Sequence, residues 1–349
     1  MAERLSLLIG TEHGLVLLPS TDGGKTWGPP DVVVPDVEIH ALRRGSDGAI
    51  YAGTRGRGLL RGADGIQRWE PIETPRAVQK VRSLCVRDDR LLVGNEADPD
   101  PVGVYQWDRR SGWEPLGELT SCPGAGEWFY PAPFEDVHVR HLSVDPHQVG
   151  RIYAAVQVGG VGISPDGGDT WYDKRNLDVD VHMVEPHPTE AGVVYAGAGG
   201  SGPGLYRSRD YGETWEGLAE ECGHFVVQFA IDPGAPNRIY LGTARGRVPD
   251  WAKPPGASGE MFRSENGGDT WIKLAGGLPE LMEGRVNVVH VDAENPEHVY
   301  FGAGLPSGSN NPGIARDAGV YFSPDRGESW RQIFALEGGE PLALWAVRT

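Results

Sequence analysis

Ser20-Thr-Asp-Gly-Gly-Lys-Thr-Trp27, Ser164-Pro-Asp-Gly-Gly-Asp-Thr-Trp171, Ser208-Arg-Asp-Tyr-Gly-Glu-Thr-Trp215 and Ser323-Pro-Asp-Arg-Gly-Glu-Ser-Trp330 are four copies of one pattern, S-x-D-x-G-x-[ST]-W. A fifth, Ser264 to Trp271, carries Asn266 in the aspartate position. Two worn copies end at Trp69 (Gly62-Ala-Asp-Gly-Ile-Gln-Arg-Trp) and Trp113 (Trp107-Asp-Arg-Arg-Ser-Gly-Trp). The pattern describes a turn. Ser and Asp side chains accept hydrogen bonds from its backbone amides, Gly supplies a positive φ, and Trp packs beside the neighbouring sheet. The turn accounts fully for these aspartates, which gives them a folding role and not a catalytic one.

Each copy is flanked alike. Before it lie a strand such as Arg151-Ile-Tyr-Ala-Ala-Val156, a loop and a second strand such as Gly204-Leu-Tyr-Arg207. After it come the strand that starts at the Trp and another of the type Phe225-Val-Val-Gln-Phe-Ala-Ile-Asp232. Four strands per unit and seven units predict an all-β fold, a seven-bladed β-propeller of four-stranded antiparallel blades, with residues 1–349 as a single domain. Six or eight blades would need one worn copy to be spurious or one more to exist. The 51 glycines, 28 prolines and 9% aromatics suit many short strands and tight turns with large side chains to bury. The chain opens on a second strand, Arg4 to Gly10, and supplies that blade's innermost strand only with Leu342-Ala-Leu-Trp-Ala-Val-Arg348. The N- and C-terminal strands are therefore expected to share the first blade, hiding edges that an open array would leave unpaired.

The repeated turn resembles the Asp-box, or BNR-repeat, superfamily of β-propellers, which includes sialidases, sortilin-type receptors, xyloglucanases and a photosystem II assembly factor. The resemblance covers nearly the whole chain and implies the propeller fold. It does not extend to sialidase chemistry. Sialidases resemble six-bladed rings with an N-terminal [FY]-R-[IL]-P segment whose arginine grips a carboxylate, and this chain opens Arg4-Leu-Ser-Leu-Leu-Ile-Gly10 instead. Xyloglucanases of the superfamily use a cleft between two propellers, which one ring does not provide. Composition narrows the partners further. A net charge of −17 repels phosphate backbones and anionic lipid, so no nucleic-acid or membrane partner is expected. The first ten residues read as a strand and not a signal peptide, and no long apolar run exists, so a cytoplasmic protein is expected. Cys85, Cys122 and Cys222 form no CxxC pair and are expected to be free thiols.

Function in a propeller usually gathers on the face opposite these turns. Loops expected there are long in the later blades: Asn95 to Gly103, Gly197 to Gly204, Thr243 to Glu260 and Gly302 to Gly319. The connection Gly117 to Val137 contains Glu127-Trp-Phe-Tyr-Pro-Ala-Pro-Phe134, whose Trp128 and Tyr130 are expected either to roof a pocket or to plug the channel mouth. Aligned on apolar pattern, the inner strands place His40, Arg82, Arg140, His182, Val227, Asn287 and Leu344 at one level near the strand starts. Ala41, Ser83, His141, Met183, Gln228, Val288 and Trp345 follow one step on.

Arginines converging inside an acidic protein suit a carboxylate or phosphate, because guanidinium offers paired planar donors and stays charged. Arg82 and Arg140 are thus the expected clamp for a small anionic, sugar-derived molecule, with His40, Asn287, Trp128, Tyr130 and His224 around it. His182 or His141 would be the general base and Asp180 the acid that orients it, as in a hydrolase or lyase. His138, Glu135, Asp136 and Glu221 stand near as further acid and base groups or as salt-bridge caps. Imidazoles at His40, His138, His182 and His224 are also the candidate ligands for a divalent metal cofactor, although no HExxH-type spacing is present. The alternatives are a protein-binding assembly scaffold, and a structural ring whose inner polar residues only solvate a channel.

Overall fold

The computed structural model describes residues 4–63, 66–130, 136–174, 176–178, 180–200, 202–246, 248–308, 311–312 and 315–348. Residues 131–134 of the aromatic run and Glu135 lie outside the described residues, as do residues 64–65 of the turn ending at Trp69 and residues 201, 247, 309–310 and 313–314 of the long loops.

The fold is an all-β, seven-bladed propeller of four-stranded antiparallel sheets, and among the described residues the only helices are three-residue 3-10 turns. Among the described residues no helix is long and apolar enough to cross a membrane. Five blades are meanders of four consecutive strands, and the seventh carries a two-stranded hairpin, Ser307–Gly308 with Asn311–Pro312, between its second and third strands. The first blade is the exception: strands Leu5–Thr11, Gly14–Ser20 and Asp31–Pro35 are completed by Pro341–Arg348, which pairs antiparallel with Leu5–Thr11 from Leu5 opposite Arg348 to Thr11 opposite Pro341. The chain divides into two compact units, one of residues 1–38 and 218–349 holding the first, sixth and seventh blades, the other of residues 39–217 holding the second to fifth.

The repeated turn is built from side chains in the expected way. In the first copy Gly24 N–H donates to Ser20 Oγ at 2.9 Å, while Thr26 donates its N–H to Asp22 Oδ1 at 2.8 Å and its hydroxyl to Asp22 Oδ2 at 2.6 Å. The Ser20 hydroxyl donates in turn to Asp22 at 2.9 Å. The same set recurs at Ser164, Ser208 and Ser323, and Asn266 reproduces it by donating Nδ2 to Thr270 at 3.0 Å. Four amide and hydroxyl donors hold the Asp22 carboxyl down at about 2, Thr26 contributing most. Positive φ falls on both central positions, +71° at Gly23 and +90° at Gly24; Tyr211 and Arg326 adopt it at the first, but the second is glycine in every copy that begins with Ser (+105° at Gly168), where a side chain would be strained. The indoles lie between sheets, with Trp27 edge-on to Phe322 of the seventh blade and Trp171 donating to Leu116 O of the third.

The terminal pairing is anchored by charge as well as backbone. Arg348 forms a buried ion pair with Asp292 at 2.5 Å, in contact with His298. Leu5, Leu7, Leu8 and Ile9 beneath it are fully buried. Removing residues 341–349 exposes that row and one side of its ladder at once. Such a truncation is expected to lose the cooperative thermal transition followed by circular dichroism, and a variant that melts like the full chain would show the pairing to be dispensable.

Candidate functional site

Inner strands pack both faces against neighbouring blades, yet several carry a charged residue near their start. Register explains how. In the third blade Val81 pairs with Asn95 and Ser83 with Gly94, which leaves Arg82 as an extra residue; Arg140, His182 and Asn287 are the extra residues of the fourth, fifth and seventh. Each is a β-bulge, which breaks the in–out alternation and re-aims one side chain. The flanking residues Val81, Val139 and Val181 remain fully buried. On the C-terminal strand the extra residue is Leu342 and not Leu344, so the expected alignment there is corrected by two positions. In the sixth blade the strand is only Phe229–Ile231, and Val227 precedes it.

Six bulge-level or neighbouring positions in the unit of residues 39–217 converge. Arg82 places Nη1 3.2 Å from His40 Nε2 and Nη2 3.2 Å from His138 Nε2, and its Nη1 lies 3.4 Å from Glu96. Glu96 also pairs with Arg55 at 3.0 Å and Lys80 at 3.1 Å; burial tends to raise its carboxyl, but these three cations outweigh it and hold it ionised. The His138 Nδ1–H faces Asp136 O at 3.2 Å, which leaves Nε2 as the acceptor. Burial first, then Arg82 and Arg140, keep this imidazole far below its usual range, hence neutral. Gln157 is the hinge of the arrangement. Its Oε1 accepts from Arg140 Nη1 at 2.8 Å and lies 3.1 Å from His138, while its Nε2 donates to Asp180 Oδ1 at 3.3 Å. Asp180 in turn lies 3.2 Å from His182 Nε2. Burial works to raise the Asp180 carboxyl, but His182, Arg140 and the Gln157 amide hold it below the normal carboxylate range.

Thus His40, Arg82, His138, Arg140, Asp180 and His182 come together. Tyr130 sits edge-on to His138 with centroids 5.2 Å apart, and Trp128 packs into the fourth-blade core against Gly159. His141 takes a separate place, donating Nδ1–H to Val184 O at 3.0 Å. His224 and Asn287 belong to the other unit, where His224 is exposed and Asn287 donates to Pro341 O at 2.7 Å. Among the described residues no group of three or more His, Cys, Asp and Glu is arranged to hold a metal. Instead of facing one another across a metal position, His40 and His138 both turn Nε2 to the Arg82 guanidinium. Gln157 and Glu96 escape the sequence reading because they lie at the ends of second strands, Gln157 as the last residue of one and Glu96 just after another, and not on inner ones. The exposures are also informative: the Asp180 side chain is 25% exposed and that of His182 1%, with Arg140 partly open and Arg82 buried.

Fold and site together define a seven-bladed β-propeller with a polar tier at its inner strands. No family model matches the chain. It is similar to the oligoxyloglucan-reducing end-specific xyloglucanase of Emericella nidulans, with 23% identity over 328 residues, covering 82% of this chain and 39% of that one. Among solved structures it is similar to the GH74 enzyme of Niastella koreensis (TM-score 0.63, 17% identity, 85% of this chain and 45% of that one). It is also similar to YCF48 bound to D1 peptide (TM-score 0.52, 15% identity, 84% and 81%). The chain therefore spans less than half the length of the xyloglucanase and of the GH74 enzyme, and likeness at these identities establishes the fold.

The buried histidines make stability depend on pH. Burial and the charge of Arg43 push the His141 imidazole down to about 3, against an ordinary 6.5. Below pH 6.5 the unfolded chain takes up a proton that the folded chain refuses, so stability falls with pH through that window by about 1.4 kcal/mol per pH unit for this residue. His141→Leu is expected to flatten the pH dependence between 6.5 and 4 by that slope, measured as denaturation free energies at several pH values.

Proposed function

We propose that the inner-strand starts of the second to fifth blades bind a small, sugar-derived anionic molecule, and that the protein is a hydrolase or lyase acting on it. The observation that carries this reading is the line Arg140–Gln157–Asp180–His182, hydrogen-bonded from Arg140 to Asp180 and continued by the 3.2 Å approach of His182 Nε2 to Asp180. It sets a cation and an ionised carboxylate side by side at the accessible edge of a buried network. Arg140 contacts the anion through its charged donors. Arg82 is a positioning residue, held by Glu96 and fixing His40 and His138. The order of exposure exchanges the roles first expected for the acid and base: Asp180 faces the molecule and moves the proton, and His182 behind it sets its charge. Proton removal next to a bound carboxylate, or activation of a water, is the chemistry such a pair performs. Recurrence of the Ser–Asp turn supports membership of the Asp-box superfamily, and likeness to a xyloglucanase supports a sugar-derived molecule.

A second reading, a scaffold that binds protein, is favoured by the likeness to YCF48 bound to a peptide and by Phe129, which is 56% exposed. One experiment separates the two. Binding of glucuronate, galacturonate and 6-phosphogluconate is measured by calorimetry on the wild type and on Arg140→Ala. At least one acid is expected to bind, and the variant is expected to lose tenfold or more of that affinity, since a charge-assisted hydrogen bond contributes about 1.5–3 kcal/mol. An unchanged affinity in a folded Arg140→Ala protein removes the anionic reading.

A further inference from the structure

Three residues beyond the level of His40, Arg82, Arg140 and His182, the inner strands of the same four blades carry a second set of reactive side chains: Arg43, Cys85, Ser143 and Glu185, with His141 between the levels. Their partners are incomplete in a specific way. His141 Nδ1–H and the Ser143 hydroxyl both donate to Val184 O, at 3.0 and 2.8 Å. This fixes the imidazole so that Nε2 carries the lone pair. Glu185 Oε2 lies 4.0 Å from His141 Nε2, too far for a direct hydrogen bond, and among the described residues this buried oxygen has no hydrogen-bond partner. The Glu185 side chain as a whole is 33% exposed while its Oε2 is buried, so the carboxyl group lies at the edge of the accessible inner face. Arg43 is held by donating Nε to Leu84 O at 3.1 Å, and its charge acts on both His141 and Glu185.

We propose that the gap between His141 and Glu185 is a binding point for a hydroxyl of the bound molecule, a second tier of the site whose first tier is Arg140 and Asp180. A single oxygen about 2.8 Å from each atom closes the gap. It donates its proton to His141 Nε2 and accepts one from the Glu185 carboxyl. The protonation states agree with this. Burial raises the Glu185 carboxyl to about 7 against the pull of Arg43, so near neutral pH a large share of it holds a proton to give, and the depressed imidazole stays neutral and accepts.

The spacing of the tiers then selects the ligand. Along the fifth-blade inner strand Asp180 stands opposite Gly199 and Glu185 opposite Tyr195, four register steps or about 13 Å. A single sugar ring does not span that distance. The ligand is therefore an elongated polyhydroxylated acid, with its carboxylate on the Arg140 tier and neutral, hydroxyl-bearing units reaching Glu185. This assignment rests on the anionic reading of the Arg140 tier.

The test compares two probes by calorimetry on the full chain: glucuronate, and aldotriouronic acid, in which a uronate is linked to two neutral sugars. The longer acid is expected to bind at least tenfold tighter to the wild type. Glu185→Leu is expected to remove that gain while leaving glucuronate binding unchanged. Glu185→Gln, whose amide still donates, is expected to keep most of the gain and guards against a folding defect in the leucine variant. If glucuronate binds but the longer acid binds no tighter, or if both Glu185 variants match the wild type, the second tier is overturned while the first stands. If neither acid binds the wild type, the anionic reading itself has failed.

Discussion

An inner strand of a propeller blade cannot bury both of its faces and also hold a polar side chain at its start, and the one-residue bulge reconciles the two demands. At Val81 and Ser83, Val139 and His141, Val181 and Met183, the alternation is preserved on either side of an inserted residue that belongs to neither face. The inserted residues are Arg82, Arg140 and His182. Everything proposed about chemistry follows from that displacement, because it gathers groups from strands far apart in sequence without opening the apolar packing between sheets.

The charges gathered there differ in kind. Arg82 is buried and surrounded by Glu96, His40 and His138; removing charges from water is costly, and the cost is offset only where partners and geometry are complete. Arg140 and Asp180 sit at the edge, joined through the amide of Gln157. A network whose interior members are saturated and whose outer members meet solvent is preorganised: side chains that would contact a ligand are already held before it arrives.

Much of this was legible in the chain. The Ser–Asp–Gly–Trp turns announced seven sheets because each residue has a local task that needs no distant partner, and the terminal pairing followed from counting strands. The apolar pattern also located the level of Arg82, Arg140 and His182. It misplaced Leu344 because a bulge at Leu342 shifts the register of a strand with no polar marker, and it overran the sixth-blade strand at Val227. Gln157, Glu96 and the unpartnered oxygen of Glu185 were out of reach, since their significance lies in which neighbouring strand their side chains meet. The order of Asp180 and His182 was likewise hidden, because relative depth is a property of packing and not of spacing.

The pairing of residues 5–11 with residues 341–348 also bears on how the molecule is made. Closing so long a loop is entropically expensive and slow compared with forming the local meanders, which need only short turns. On a ribosome the leucine-rich strand at residues 5–11 emerges more than 300 residues before the strand at residues 341–348 that pairs with it. Through most of synthesis it presents an open, apolar edge of the sort that recruits other chains. A fold whose other sheets are local at nearly every step thus concentrates its aggregation hazard in residues 5–11 for as long as residues 341–348 have not paired with them.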